Sequence, residues 1–177
     1  MKLEIGPGSK RIDASWITMS PYTGNNIDIV ARWGENRLPF GDETIDLIYA
    51  SHVLEHIWWH KTISALREAY RILKLGGRLE LHVPDFDVIM DAYLTKKCND
   101  GWRKYNSEGD YMLWVNGRIF TYGGKGNTHR SIFNRPYLHQ CLNSAGFNDL
   151  NIIDSAPIRG DSHGVIDLAV TAIKENK

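Results

Sequence analysis

At 177 residues, with 21 Lys plus Arg set against 21 Asp plus Glu, the chain has the size of one domain and carries no net field that would gather a polyanion, so nucleic acid is not an expected partner. Its two cysteines, Cys98 and Cys141, form no paired framework, which argues against a disulfide scaffold or a cysteine zinc site and fits reduced thiols in a cytoplasmic protein. No apolar run approaches the ~18 residues of a membrane span, and the broken start MKLEIGPGS does not read as a signal peptide, so no membrane partner is expected.

Lys2 to Ile5 reads as a short strand that runs directly into a Gly6-Pro7-Gly8 turn. Trp16 to Ser20, Ile27 to Ala31 and Thr44 to Ala50 follow as three more short strands. From about Trp59 to Leu75 the spacing becomes helical, with Ile63, Leu66, Ala69, Tyr70 and Leu73 on one side, and Gly76-Gly77 is expected to end that helix. Arg78 to Val83 alternates as a fifth strand. Asp85 is placed to cap a helix reaching about Tyr93, Asn134 and Pro136 open another that stops at Gly146, and 149–153 and 167–173 supply the last two strands.

That order predicts an α/β fold: one Rossmann-like, doubly wound domain over residues 1–177, with a mostly parallel sheet of about seven strands. In such sheets ligands sit beyond the carboxyl ends of the strands. The stretch from about 98 to 133 has no clear period and is rich in Gly, Asn, Tyr and Trp, so it reads as an insertion placed to cover an acceptor site.

Three segments carry the chemistry. In LEIGPG, glycines free of side chains let backbone N–H groups approach a ligand, and Glu4 stands at the strand end. RLPFGDETIDLIYASHVLEH ends a strand at Ser51 and projects the following residues over the sheet edge beside the first turn, and EAYRILKLGGRLELHVPD continues the alternation. Together these segments resemble class I S-adenosylmethionine-dependent methyltransferases of the broad type 11 group, closely over residues 1 to about 86 and more loosely near 145 to 174. Within that group the chain is most similar to compact members.

The resemblance implies a sheet whose last strand is antiparallel and whose cofactor is S-adenosylmethionine. By position, Glu4, Gly6, Pro7 and Gly8 would hold the methionine end, Ser51 and His52 would line the sulfonium side, the stretch up to Leu38 would touch adenine, and His56 would brace the loop. Two positions depart from the group. Ser20 stands where an acidic residue usually accepts both ribose hydroxyls, and only Glu35 is available in place of the adenine-side Asp; each missing charged hydrogen bond weakens binding by about 1.5–3 kcal/mol.

The resemblance therefore implies methyl transfer to an oxygen or nitrogen of a small-molecule acceptor, with sugar or glycan metabolism as the family-level association. The competing reading is a methyltransferase-like scaffold with weak or lost cofactor binding. Because less chain precedes the first strand than in longer relatives, a second copy is the expected cover for the cofactor side.

For the proton acceptor, Thr128-His129-Arg130 beside Tyr122-Gly123-Gly124 offers His129 first, with Asp85 second; an ordinary surface loop is the alternative at that segment. His52-x-x-Glu55-His56 matches a zinc-protease pattern, but His52 directly follows a strand and no third ligand is evident in the sequence, so no metal is expected. Tyr70-x-x-x-Lys74 matches a dehydrogenase pair but lies in an amphipathic helix, and Arg11 replaces the third glycine of a dinucleotide fingerprint. Trp58-Trp59-His60 is expected to pack helix against sheet, and His163 to occupy a turn.

Overall fold

Short strands rich in Leu, Ile and Val, separated by Gly and Asp turns, assemble in the computed structural model into one six-stranded sheet. The structure describes residues 1–97, 111–121, 128–147, 156–160 and 164–175. In chain order the elements are β1 (Lys2–Ile5), β2 (Trp16–Ser20), β3 (Ile29–Val30), β4 (Ile45–Ser51), α1 (Thr62–Ile72), β5 (Leu73–Pro84), α2 (Phe86–Thr95), α3 (Tyr111–Phe120), α4 (Arg135–Ala145) and β6 (Asp167–Ile173).

The strands lie in the order β3-β2-β1-β4-β5-β6, all parallel except the β5–β6 pair. The chain winds outward from β1 to β3 and then returns to β4 on the other side of β1, which places the switch point between β1 and β4. The Rossmann-like α/β expectation and the antiparallel last strand are both met. The strand expected at 149–153 lies outside the described residues.

Alternation along the strands sorts the two faces. Leu3, Ile5, Met19, Ile48, Ala50, Leu79, Leu81, Leu168 and Val170 fill one core with the apolar sides of α1 and α4. On the other face the register aligns Thr18, Glu4, Tyr49, Glu80 and Thr171 in one row, and all five are buried. Buried polar groups need partners. Here the Ile12 amide donates to Glu4 at 2.9 Å, the Arg159 guanidinium to Glu80 at 2.9 Å, the Arg159 amide to the Tyr49 hydroxyl at 3.2 Å, and the Thr18 hydroxyl to the Asn26 carbonyl at 2.6 Å.

Two expectations need correction. Gly76-Gly77 does not end the long helix: α1 stops at Ile72, Leu73 is already extended, and both glycines lie inside β5. There Ile45 pairs with Leu73 but Leu47 with Arg78, so β5 carries extra residues opposite β4. Gly76 adopts φ +75°, and a Cβ on Gly77 would meet the Lys74 carbonyl at 2.8 Å. The glycines serve a strand irregularity, not a helix cap. Trp58 and Trp59, expected as packing residues, are 46% and 65% exposed.

The helix caps were read more faithfully. The Asp85 carboxylate accepts from the Asp87 amide to start α2, Asn134 does the same for Tyr137 at α4, and Gly146 ends α4 at φ +115°. Within the expected insertion at 98–133 the structure adds α3, whose Trp114 and Val115 pack on Ile89 and Ala92 of α2 with Ile166 as a separate small core.

Candidate active site

β1 delivers its last side chain, Ile5, to the carboxyl edge of the sheet and turns at Gly6, which has φ +72° and donates its N–H to the Met19 carbonyl at 2.8 Å. A Cβ on Gly6 would stand 2.5 Å from Val53 Cγ2, and one on Gly34, at φ +85°, would stand 2.7 Å from Ile57 Cγ2. Both backbone segments thus approach the loop after β4 more closely than any other residue type permits.

Between them lies a cleft open to solvent. Its walls are Ile5, Gly6, Pro21 and Ala31 on one side and Val53, His56 and Ile57 on the other. Trp33, Glu35, Trp58, Lys61 and Arg130 also line it. The Trp33 indole is fixed by donating to the Ala65 carbonyl at 2.7 Å, Glu35 pairs with Arg32 at 3.3 Å, and the Arg130 guanidinium lies 4.9 Å over the Trp58 ring.

The loop after β4 also carries a chain of ionisable groups. His52, at φ +53°, bridges Asp167 at the start of β6 (2.8 Å) and Glu55 (3.1 Å). Burial pushes the His52 imidazole down, but hydrogen bonding to the two carboxylates outweighs it and holds the pKa at about 9. Glu55 is fully buried; desolvation pushes its carboxyl up, and the His52 contact more than reverses that to leave it below the usual value.

His129 stands 3.9 Å from Glu55 through Nε2, and its Nδ1 donates to the Arg118 carbonyl at 3.1 Å. Burial lowers its pKa. The rings of His129 and His56 are edge to face, 4.8 Å apart. A second, much smaller pocket is lined by His129 with Pro84, Phe86, Arg118, Ser131 and Ile132.

The residues singled out in the sequence separate into two groups. Gly6, Glu35 and His56 line the cleft, and His129 lines the second pocket. The others stand elsewhere: Glu4 accepts from Ile12, the Ser20 hydroxyl accepts from the Tyr22 amide at 3.1 Å, and Leu38 is a core residue. Pro7, Gly8 and Ser51 flank the cleft in sequence without lining it, His52 is engaged with Asp167, and Asp85 caps α2 through one carboxylate oxygen.

Tyr70 packs against Phe147 and Lys74 pairs with Asp46, so the dehydrogenase pair is not assembled. His163 and Tyr122 to Gly124 lie outside the described residues. Arg130, noted beside His129 in the sequence, lines the cleft, whereas Lys61, Trp58 and Asp167 carry no sequence signal of a site. Asp167 is 115 positions beyond His52, and nothing local marks their contact.

An open α/β sheet with a glycine turn after β1 and a cleft across its switch point defines the class I methyltransferase architecture. The chain belongs to the methyltransferase-domain family, whose model matches residues 2–152. Among solved structures it is similar in fold to a possible histamine N-methyltransferase of Thermotoga maritima (19% identity, 98% of this chain and 82% of that one, TM-score 0.58). It is also similar in fold to the 1,6-didemethyltoxoflavin-N1-methyltransferase of Burkholderia thailandensis (17% identity, 99% and 71%, TM-score 0.57). The uncharacterized protein YafE of Escherichia coli K12 is 32% identical over 81 residues, a match that spans 38% of this chain and 38% of that relative's length.

Proposed function

We propose that the cleft beside Gly6 holds S-adenosylmethionine and that the chain methylates an oxygen or nitrogen of a small acceptor placed beside His129. One observation carries this reading: the cleft and the second pocket meet at a pair of imidazoles, His56 lining the first and His129 the second.

The residues present suit such a cofactor. A Cβ-free turn at Gly6, apolar walls from Ile5, Val53 and Ile57, and a few charged groups match an adenosine body with a charged tail. Glu35 is the carboxylate available to accept from ribose or adenine donors, and Lys61 and Arg130 are the cations available to the tail's carboxylate. When bound, S-adenosylmethionine supplies an electrophilic methyl group on its sulfonium.

The chain's own groups then have to align the acceptor, exclude water and take a proton. His129 is built for the last task. With Nδ1–H donated to Arg118, the neutral ring presents Nε2 as its basic nitrogen, and the Glu55 carboxylate nearby stabilises the imidazolium that forms. Asp85, at the end of β5, is the second candidate on the acceptor side. Of the expected cover at 98–133, residues 111–121 with α3 and residues 128–133 are described, and the rest lies outside the described residues.

Calorimetry with S-adenosylmethionine and S-adenosylhomocysteine tests the cofactor assignment, micromolar binding of both being expected. A scaffold that has lost the cofactor would bind neither, and the engagement of Ser20 with Tyr22, away from the cleft, is the feature that favours that rival. Screening hydroxylated and amine acceptors, sugars included, for homocysteine-product release then tests the chemistry. Loss of turnover in His129→Ala with cofactor affinity retained is the expected signature of a proton acceptor.

A further inference from the structure

Glu55, His56 and His129 bring one ligand atom each to within 4.8 Å of one another. The His129 Nδ1 is satisfied by the Arg118 carbonyl and the His56 Nδ1 by the Thr128 carbonyl at 3.2 Å. Each ring therefore donates through Nδ1 and presents Nε2 as a lone pair. Glu55 is 1% exposed; His52 Nδ1 lies 3.1 Å from its Oε1 and His129 Nε2 3.9 Å from the same oxygen, while its Oε2 completes no hydrogen bond among the described residues. The Nε2 lone pairs of two half-buried rings and the buried Glu55 carboxylate thus gather at one place, beside the His52 imidazolium, and form a donor set suited to a cation.

We propose that Glu55, His56 and His129 bind one divalent transition-metal ion of the zinc type. The donor set selects the class: two imidazoles and a carboxylate suit zinc and its first-row neighbours, whereas magnesium and calcium favour oxygen ligands throughout. Both imidazoles already have the carbonyl contact on the distal nitrogen that orients metal-bound histidines.

The supporting backbone is tied as well. The Glu55 carbonyl accepts from the Arg130 amide at 2.7 Å and the Ser131 amide at 3.1 Å, so the two ligand-bearing segments cannot drift apart independently. Ligand atoms around a tetrahedral zinc stand about 3.4 Å apart, so binding asks for side-chain movements of roughly 1 Å toward the centre. Three protein ligands leave a coordination position for water or an acceptor oxygen, at the partition between the cleft and the second pocket.

This site goes beyond the proposed methyl transfer and does not rest on it. The same Nε2 cannot hold an ion and accept a proton, so occupancy withdraws His129 from the role of base.

The test uses the untagged full chain, stripped with a chelator and free of cofactor and acceptor. Zn²⁺ is titrated by calorimetry and Co²⁺ by visible absorption. One ion per chain and the d–d bands of four- or five-coordinate Co²⁺ are expected. Glu55→Gln and His129→Gln should each weaken binding by more than the roughly 10–100-fold that an outer-shell partner costs, while His60→Ala, at an exposed histidine outside the cluster, should leave it unchanged.

Absence of the Co²⁺ bands in the wild-type chain overturns the proposal without reference to any variant. So does binding that His60→Ala removes, or that both glutamine variants retain while circular dichroism shows them folded. Parallel titration with S-adenosylhomocysteine reads the cofactor assignment separately, so the failure of one does not resemble the failure of the other.

Discussion

The carboxyl edge of the sheet is built in two ways. On the β1–β4 side the cleft is made of backbone and apolar surface: Gly6 and Gly34 press against Val53 and Ile57, and the charged groups are added from the loops that surround it. On the β4–β6 side the space is filled by ionisable groups, with Asp167, His52, Glu55 and His129 linked in a buried chain. The first side makes room for a ligand through shape, and the second prepares charge for chemistry. Substitutions should therefore fail differently on the two sides: steric and conformational changes on the first, loss of charge balance on the second.

The largest effect is expected on the charged side. Glu55→Ala leaves a buried, protonated His52 with Asp167 as its single carboxylate and opens a void beside His129, so a loss of about 3–5 kcal/mol is expected in urea unfolding. A loss under about 1 kcal/mol would show that water reaches this cluster and that the contrast between the two sides is overdrawn.

Gly6→Ala should come next, by a different route. Its Cβ meets Val53 at 2.5 Å in a backbone conformation that costs a non-glycine residue of order 1–3 kcal/mol. Adding Val53→Ala removes the contact but not the φ strain, so the double variant should recover only part of the stability and of the affinity for S-adenosylhomocysteine. Complete recovery would mean that the turn needs space and not glycine's conformational freedom.

Glu35→Gln tests the charge on the cleft side. The carboxylate is exposed and, among the described residues, pairs with Arg32, so folding should barely respond, while cofactor affinity should fall by about tenfold through loss of one charged hydrogen bond. Unchanged affinity in calorimetry would remove Glu35 from the cofactor's partners and leave the ribose without a carboxylate from this chain.

The two sides also differ in how much of them the sequence displays. The cleft rests on local signals: a glycine turn straight after an apolar strand, and a loop straight after another, each legible within a dozen residues. The charged chain joins residues 52, 55, 129 and 167, and only the tertiary fold brings Asp167 to His52. Glu55 and His56 were visible in the LEH motif, yet with His129 distant in sequence no ligand set could be recognised.

The Gly76-Gly77 pair shows the same limit in the fold. Helix cap and strand irregularity share a glycine signature, and the pairing of Ile45 with Leu73, a long-range fact, decides between them. The caps at Asp85 and Asn134 were legible because a cap is a contact within three residues.

Glu4 marks the boundary between the two sides and gives the smallest expected effect. The family resemblance places it at the methionine end of the cofactor, and in this structure its carboxylate accepts from the Ile12 amide. Burial raises its pKa above the ordinary carboxylate value, partly offset by the Ile12 hydrogen bond and by Arg11. The folded chain therefore holds this proton more tightly than the unfolded one. The stability that protonation confers is fully present below the unfolded pKa and is lost as pH rises through the folded value. Glu4→Gln keeps an oxygen for Ile12 and removes the buried charge. It should be at least as stable as the wild type at pH 7, with the difference vanishing as the pH falls below the carboxylate range, and its affinity for S-adenosylhomocysteine should be unchanged. Reduced stability at neutral pH would show that the ionised carboxylate has a partner that outweighs its desolvation. Reduced affinity with stability intact would return Glu4 to the cofactor and extend the charged half of the edge across β1.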